Sequence, residues 1–367
     1  MHILVTADTV GGVWTYAREL VTGLVRRGVK VTLVSFGDIP VPQQTEWMEG
    51  LSGLDYRPTA FKLEWMQDSE ADLEASAEYL ESLVRETSPD LLHFNQFYYG
   101  ALRCDVPRIV VAHSDVVSWW AEVRHQEPPD SSWMRWYRKV VSRGIINATA
   151  VVAPTRWMLD QVSRYYVKPD FSSVIYNGRT PSLFNPHLTK DDLLVTVGRL
   201  WDAGKNAGLL LQEQMPCPVC IVGSGRHPES QGNAFDRQAR TGVQFEPPQN
   251  EKQLSQLLAK AGMYAASSRY EPFGLAPVEA ALSRCAMVAS DIPTFRELWE
   301  GAAVFFRSND AQSLKNAVSQ LVNDRELRQH YANLAYNHAR QRFSSERMVD
   351  DYLTCYQTLV PVNALPA

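Results

Sequence analysis

The chain has 367 residues, a formal net charge of −5, 45% hydrophobic residues and 21% charged residues. That length exceeds what one core ordinarily serves, so two domains are expected, and the composition is that of a globular protein rather than a disordered one. An acidic balance without a long basic run argues against a nucleic-acid partner, and no apolar run is long enough to span a bilayer.

The chain opens on the strand Ile3-Leu4-Val5-Thr6-Ala7 with no basic and apolar leader before it, so no secretory signal is expected and a cytoplasmic setting is the default. Short apolar runs follow near 30–36, 90–94, 108–113, 150–153 and 173–176, alternating with helical periodicity over 12–27, 71–87, 131–146 and 155–166. Segment 177–188 carries Asn-Gly, Thr-Pro and Asn-Pro turn signals without periodicity and reads as a linker. A second series of strands begins at Leu193-Leu194-Val195-Thr196-Val197 and continues near 219–222, 242–245, 263–267, 286–290 and 303–306. The last periodic stretch, 345–359, predicts a helix with Met348, Tyr352, Tyr356 and Leu359 on its apolar positions. Strand-then-helix alternation predicts an α/β protein with two Rossmann-like, doubly wound parallel sheets. Ligands of such sheets sit beyond the carboxyl ends of the strands, so the cleft between two such domains is the expected site.

The five cysteines show no disulfide-framework spacing. Cys217-Pro218-Val219-Cys220 is formally a C-x-x-C, but two further ligands at zinc spacing are missing, so both read as structural. The sequon Asn147-Ala148-Thr149 has no meaning in a cytoplasmic chain. Ile221-Val222-Gly223-Ser224-Gly225 is a strand followed by a Gly-x-Gly turn, yet Pro228 stands where the dinucleotide fingerprint needs its third glycine. The Gly11-Gly12 loop after the first strand fails that spacing too, which argues against a nicotinamide enzyme.

The most informative segment is Ser268-Arg269-Tyr270-Glu271-Pro272-Phe273-Gly274-Leu275-Ala276-Pro277-Val278-Glu279-Ala280. Gly274 permits close backbone approach to a ligand, and Pro277 suits a first helical turn. The unpaired N–H groups of that turn, with the helix dipole behind them, favour phosphate oxygens. Glu279 is expected inside the first turn and Glu271 just before the loop, so two acceptors for sugar hydroxyls would flank an anion site. Upstream, Val197-Gly198-Arg199-Leu200 ends a strand and Gly204-Lys205-Asn206 opens the next predicted helix, placing a planar guanidinium and a mobile ammonium at one strand end.

The full pattern resembles the E-x7-E signature of the family 4 retaining glycosyltransferases of group 1 type, which have the GT-B fold. That resemblance implies an N-terminal acceptor domain over 1–176 plus 344–367, the linker 177–188, and a donor domain over 189–343, with the last helix crossing back to the first domain. It implies a nucleotide-diphosphate sugar as donor substrate, a UDP-hexose by family frequency, a hydroxyl-bearing acceptor, and no metal, in keeping with the absence of an Asp-x-Asp motif. Arg199 and Lys205 would hold the leaving diphosphate, whose growing charge they stabilise. Glu271 would orient the donor sugar, Glu279 would hold the ribose, and Phe273, Gly274 and Leu275 would offer backbone N–H groups. Gly12 and Gly223 match glycine turns beside the donor, and His113 matches a histidine next to the transferred sugar. With no carboxylate placed as a nucleophile, a front-face displacement is implied, in which the leaving phosphate takes the acceptor proton.

Three features depart from the commonest pattern. Asn177-Gly178 continues as Arg179-Thr180 in place of an apolar residue and Asp; Ser283-Arg284-Cys285-Ala286-Met287 replaces a Gly-x-Pro segment; and the loop from Arg199 to Lys205 is slightly long. Acceptor contacts are expected between Phe94 and Arg143. There the mixed basic and aromatic run 132–139 is either a membrane-surface patch or a helix with a buried tryptophan stripe, the second being favoured. The rival functions are a sugar-nucleotide epimerase or sugar phosphorylase on the same fold, a non-catalytic sugar-binding protein, and a Rossmann oxidoreductase.

Overall fold

The computed structural model describes residues 1–9, 11–225 and 241–360. The described chain divides into two units, the first comprising 1–121, 126–178 and 345–360, the second 122–125 and 179–344.

The first unit contains β1 (His2–Asp8), α1 (Gly12–Arg26), β2 (Lys30–Phe36), the short α2 (Pro42–Thr45), β3 (Leu54–Pro58), α3 (Glu70–Thr87), β4 (Leu91–Phe94) and β5 (Arg108–Val111). It continues with α4 (Val116–Arg124), whose last residues belong to the second unit, then α5 (Ser132–Asn147), β6 (Ala150–Ala153), α6 (Arg156–Tyr165) and β7 (Ser172–Val174). Its seven strands are parallel in the order β3-β2-β1-β4-β5-β6-β7. Alternate residues feed two separate cores, as expected of a sheet covered on both faces. Leu4, Leu92, Phe94, Val110 and Val151 meet α3, α5 and α6 on one face. Ile3, Val5, Leu91, Ile109 and Val152 meet α1 on the other, together with Met348, Val349, Tyr352 and Tyr356 of α12 (Ser345–Leu359). The C-terminal helix thus returns to the first unit, where Gly23 admits it: a Cβ there would lie 2.4 Å from Val349 Cγ2.

The second unit contains β8 (Asp191–Val197), β9 (Val219–Val222), β10 (Val243–Glu246), α7 (Glu251–Lys260), β11 (Ala261–Ala266), α8 (Leu275–Leu282), β12 (Ala286–Ser290), α9 (Pro293–Trp299), β13 (Val304–Phe306), α10 (Ala311–Asn323) and α11 (Arg325–Arg342). Its six strands are parallel in the order β10-β9-β8-β11-β12-β13. Each sheet therefore reverses direction beside its first strand, between β1 and β4 and between β8 and β11. Those switch points leave a crevice at the strand ends.

Strand β3 was not expected from sequence. Leu54-Asp55-Tyr56-Arg57-Pro58 is half polar, because it is an edge strand, and Pro58 falls where the edge lacks a partner. The run 132–139 lies in α5, capped by Ser131 accepting from Met134 N at 3.1 Å. Its aromatics are used inside the unit: Trp133 and Trp136 pack against the core, and the Trp133 ring stacks on Tyr137 at 5.4 Å. Gly144 of α5 lies so close to Phe97 that a Cβ would meet its carbonyl oxygen at 1.8 Å. Among the described residues no helix is long and apolar enough to cross a membrane.

Candidate functional site

At the switch point of the second unit, the ends of β8 and β11 and the start of α8 enclose a pocket. Its lining includes Gly198, Lys205, Ser267, Ser268, Glu271 and Pro277. Gly274 supplies the turn into α8 with φ +90, a conformation that costs glycine nothing and other residues about 1 kcal/mol or more. Helix α8 begins at Leu275, so Glu279 lies in its second turn, not the first as expected from Pro277. The amides of the first turn have no partner within the helix.

Glu271 and Lys205 meet in this pocket. Lys205 Nζ donates to Glu271 Oε2 at 2.5 Å, and Ser268 Oγ donates to the same oxygen at 3.1 Å. Both donors use one oxygen, leaving Oε1 unpaired among the described residues. Lys205 is anchored by its backbone, whose carbonyl accepts from Ser267 Oγ at 3.1 Å and whose N–H donates to Asp202 O at 2.9 Å. The next residue, Asn206, takes φ +50 and opens only a short 3-10 turn, Ala207–Leu211, where a longer helix was expected.

The loop from Arg199 to Lys205 is folded around Asp202, which sequence reasoning missed. This buried carboxylate accepts from Gly204 N at 2.8 Å and from Arg199 Nη2 at 2.9 Å. Arg199 also lies over the Trp201 ring, 5.2 Å from its centre, with almost half its side chain exposed. Gly223 lies against this loop with φ +146, and a Cβ there would fall 1.8 Å from the Gly198 carbonyl oxygen. Its turn is thus a close backbone crossing; Pro228 lies outside the described residues.

Glu279 is buried, and its Oε1 accepts from Arg179 Nε at 2.8 Å. Arg179 in turn donates Nη2 to Glu251 of α7 at 2.6 Å. The departure at 179 therefore supplies the cation for the second glutamate. Phe273 is also buried, its ring edge-on to Phe343 at 5.3 Å, so its side chain serves packing.

In the first unit Gly12 begins α1 behind Gly11, which takes φ +94; Val10 lies outside the described residues. His113 follows β5, with Nε2 2.7 Å from Asn95 Oδ1. Burial holds its imidazole far below the usual histidine range, at about 3. Glu64, buried nearby in this unit's core, accepts from the N–H groups of Phe97 and Tyr98 at 2.9 and 2.7 Å. All five cysteines are free, and among the described residues no three metal-ligating side chains converge.

Two family models match the chain: Glycosyltransferase Family 4 over residues 10–183 and Glycosyl transferases group 1 over residues 185–338. The α-maltose-1-phosphate synthase of Mycolicibacterium smegmatis is 26% identical over 310 residues, 73% of this chain and 78% of that one. The O-antigen chain mannosyltransferase RfbU of Salmonella typhimurium is 24% identical over 201 residues, 53% of this chain and 57% of its own, so the match spans little more than half of that relative. The sucrose-phosphate synthase structure from Thermosynechococcus elongatus superposes with a TM-score of 0.80 at 17% identity, covering 98% of this chain and 99% of that one. Anabaena HepE, in complex with UDP and glucose, superposes with a TM-score of 0.75 at 18% identity, covering 98% and 100%. At these identities the likeness to solved structures is one of fold.

Proposed function

Because the chain belongs to the family 4, group 1 type glycosyltransferases with the GT-B fold, we propose that it moves a hexosyl group from a UDP-sugar to a hydroxyl-bearing acceptor, with retention and without a metal. The observation that carries this reading is Glu271 in the second unit's pocket. One carboxylate oxygen accepts from Lys205 and Ser268, and the other is left to accept from a sugar hydroxyl. UDP is the bound nucleotide in Anabaena HepE. We carry it to this chain as the nucleotide of the donor sugar.

In this reading the diphosphate meets Lys205, the first-turn amides after Gly274 and the exposed guanidinium of Arg199. Fixed positive charge there stabilises the leaving group as its negative charge grows. Lys205 has two roles: it holds Glu271 before the donor binds and balances phosphate once it is bound. Glu279, paired with Arg179, serves the ribose hydroxyls. The leaving phosphate takes the acceptor proton in a front-face displacement, so no protein nucleophile is needed. From the first unit, His113 serves a substrate hydroxyl as a neutral imidazole, and Gly12 lets the backbone approach the substrate.

The test is a thermal-shift screen of UDP-, GDP-, ADP- and dTDP-sugars beside an Arg199→Ala/Lys205→Ala variant, since a ligand that binds only the folded state raises its melting temperature. A shift with UDP-sugar that the variant loses supports the reading. A shift with NAD(P) alone would move the chain to redox chemistry. Release of UDP without an acceptor would favour epimerase-type chemistry.

A further inference from the structure

At the carboxyl edge of the first unit's sheet, three strand ends join Thr6, Asn95 and His113 in one chain of hydrogen bonds. Asn95 Nδ2 donates to the Thr6 carbonyl at 2.5 Å, and Asn95 Oδ1 lies 2.7 Å from His113 Nε2. A carbonyl oxygen can only accept, so the Thr6 contact decides which end of the Asn95 amide is nitrogen. Turned the other way, the amide would set two oxygens 2.5 Å apart. With Oδ1 facing the imidazole, Nε2 must carry the ring proton.

The surroundings keep this arrangement in place. The Asn95 backbone N–H donates to Thr6 Oγ1 at 3.1 Å, and that hydroxyl donates to Gln96 Oε1 at 2.6 Å. Asn95 and Gln96 are buried. The His113 ring meets the Tyr16 ring edge to face, with centroids 4.5 Å apart, which sets its plane. Tyr16 is itself engaged: its hydroxyl pairs with His93 Nε2 at 3.1 Å, while His93 Nδ1 pairs with Tyr356 of α12 at 2.6 Å. His93, the titratable neighbour on β4, is fully buried and neutral. Among the described residues, Nδ1 of His113 has no hydrogen-bond partner.

We propose that Asn95 is a positioning residue that fixes His113 as its Nε2–H tautomer, so that Nδ1 accepts a hydrogen bond from a substrate hydroxyl. This rests on the role given to His113 above and makes that role specific. The histidine is an acceptor, and what it recognises is a hydroxyl able to donate. A deoxyfluoro sugar, whose fluorine cannot donate, fails this contact as fully as a deoxy sugar does.

Ring nitrogen NMR of the full chain labelled with 15N-histidine tests the assignment directly, the His113 signal being identified by its loss in His113→Asn. The expected result is a protonated Nε2 and bare Nδ1, unchanged from about pH 6 to about pH 9, a span in which an ordinary histidine titrates. A protonated Nδ1 with bare Nε2, or an imidazolium within that span, overturns the proposal. In turnover assays, deoxy and deoxyfluoro donors altered at the served hydroxyl both lose about tenfold in kcat/KM, the worth of one hydrogen bond, and His113→Ala removes the difference from the parent sugar. A fluoro donor that keeps what the deoxy donor loses shows that His113 donates, and sinks the proposal. Asn95→Asp sets a carboxylate against Nε2, holds the ring as imidazolium, and makes kcat/KM rise with pH as that charge is lost. An Asn95→Asp enzyme with the wild-type pH profile counts against Asn95. A His113→Ala enzyme with undiminished kcat would remove the substrate half together with the role proposed for His113, whereas the ring signal judges Asn95 on its own.

Discussion

Arg179 Nε donates to Glu279 Oε1 at 2.8 Å across 100 positions of sequence, and both side chains are buried. The same guanidinium reaches Glu251 and lies 5.3 Å from the centre of the Phe184 ring, so one arginine joins α7, α8 and the start of the second unit. Its backbone N–H donates to Phe343 O at 2.9 Å, which ties the two ends of that unit together. A glutamate expected to face a ribose is therefore held in the core by its own cation.

Arg179→Met removes that cation from beside the buried Glu279 carboxylate. Breaking one partner of a buried pair costs about 3–5 kcal/mol. The urea midpoint should fall by that equivalent with little change in slope, and adding Glu279→Gln should return much of the loss. Additive effects in the double variant would show that the two side chains are not coupled.

Lys205→Met removes the ammonium that pairs with Glu271 Oε2, a side chain about a fifth exposed. The variant should lose the thermal shift with UDP-sugar and turn over about 10²–10³-fold more slowly, the range for removing one fixed electrostatic contact to developing charge. Glu271→Gln should fold normally and lose kcat; undiminished turnover would end the role proposed for Glu271.

Gly274→Ala forces a non-glycine residue to φ +90 and places a Cβ 3.0 Å from Glu271 Cγ and 3.1 Å from Pro277 Cγ. The backbone strain costs about 1–2 kcal/mol, and the displaced Glu271 should lower kcat more than it lowers stability. Gly223→Ala should be worse for folding, since its Cβ would fall 1.8 Å from a main-chain oxygen that cannot move aside. Melting temperatures of the two variants, with kcat for Gly274→Ala, check this order.

Burial lifts the Glu64 carboxyl from the usual 4.5 to about 7, against the two backbone N–H groups that pull it down. The folded state then holds this proton more tightly than the unfolded chain does. The contribution to stability is full below about pH 4.5 and is lost as pH rises through about 7, to the extent of about 3 kcal/mol. Fully buried His93 and half-buried His113 act in the opposite sense, favouring unfolding as pH falls below 6.5. The difference in unfolding free energy between wild type and Glu64→Gln isolates the carboxyl. It should shrink between about pH 5 and about pH 8, and a flat difference would mean that Glu64 is ionised throughout.

Much of the architecture was legible because its rules are local. Short apolar runs marked most strands, as expected of parallel sheets covered on both faces, and period-3.6 patterns marked the longer helices of the first unit. The apolar stripe of 345–359 predicted a helix, and the family resemblance assigned it to the first domain. Where the local rule was weak, the reading missed: the polar edge strand β3 and the 3-10 turn after Asn206 carry no strong period. Pro277 does lie in the first turn of its helix, but that helix begins at Leu275, so Glu279, expected in the same turn, falls in the second.

By itself the sequence determined two parallel α/β halves, the glycine turns at strand ends, and the residue types suited to phosphate and hydroxyls. Only the tertiary structure decided how those residues pair. Lys205 meets Glu271 across 66 positions, Arg179 meets Glu279 across 100, and Asn95 meets His113 across 18. The first and third pairings depend on strand order and register, which bring distant strand ends to one edge of a sheet, and the second on the packing of α8 against the segment before β8. A residue's chemistry is written in its own letter, but the partner that sets its charge or tautomer is chosen by long-range packing that no short window of sequence contains.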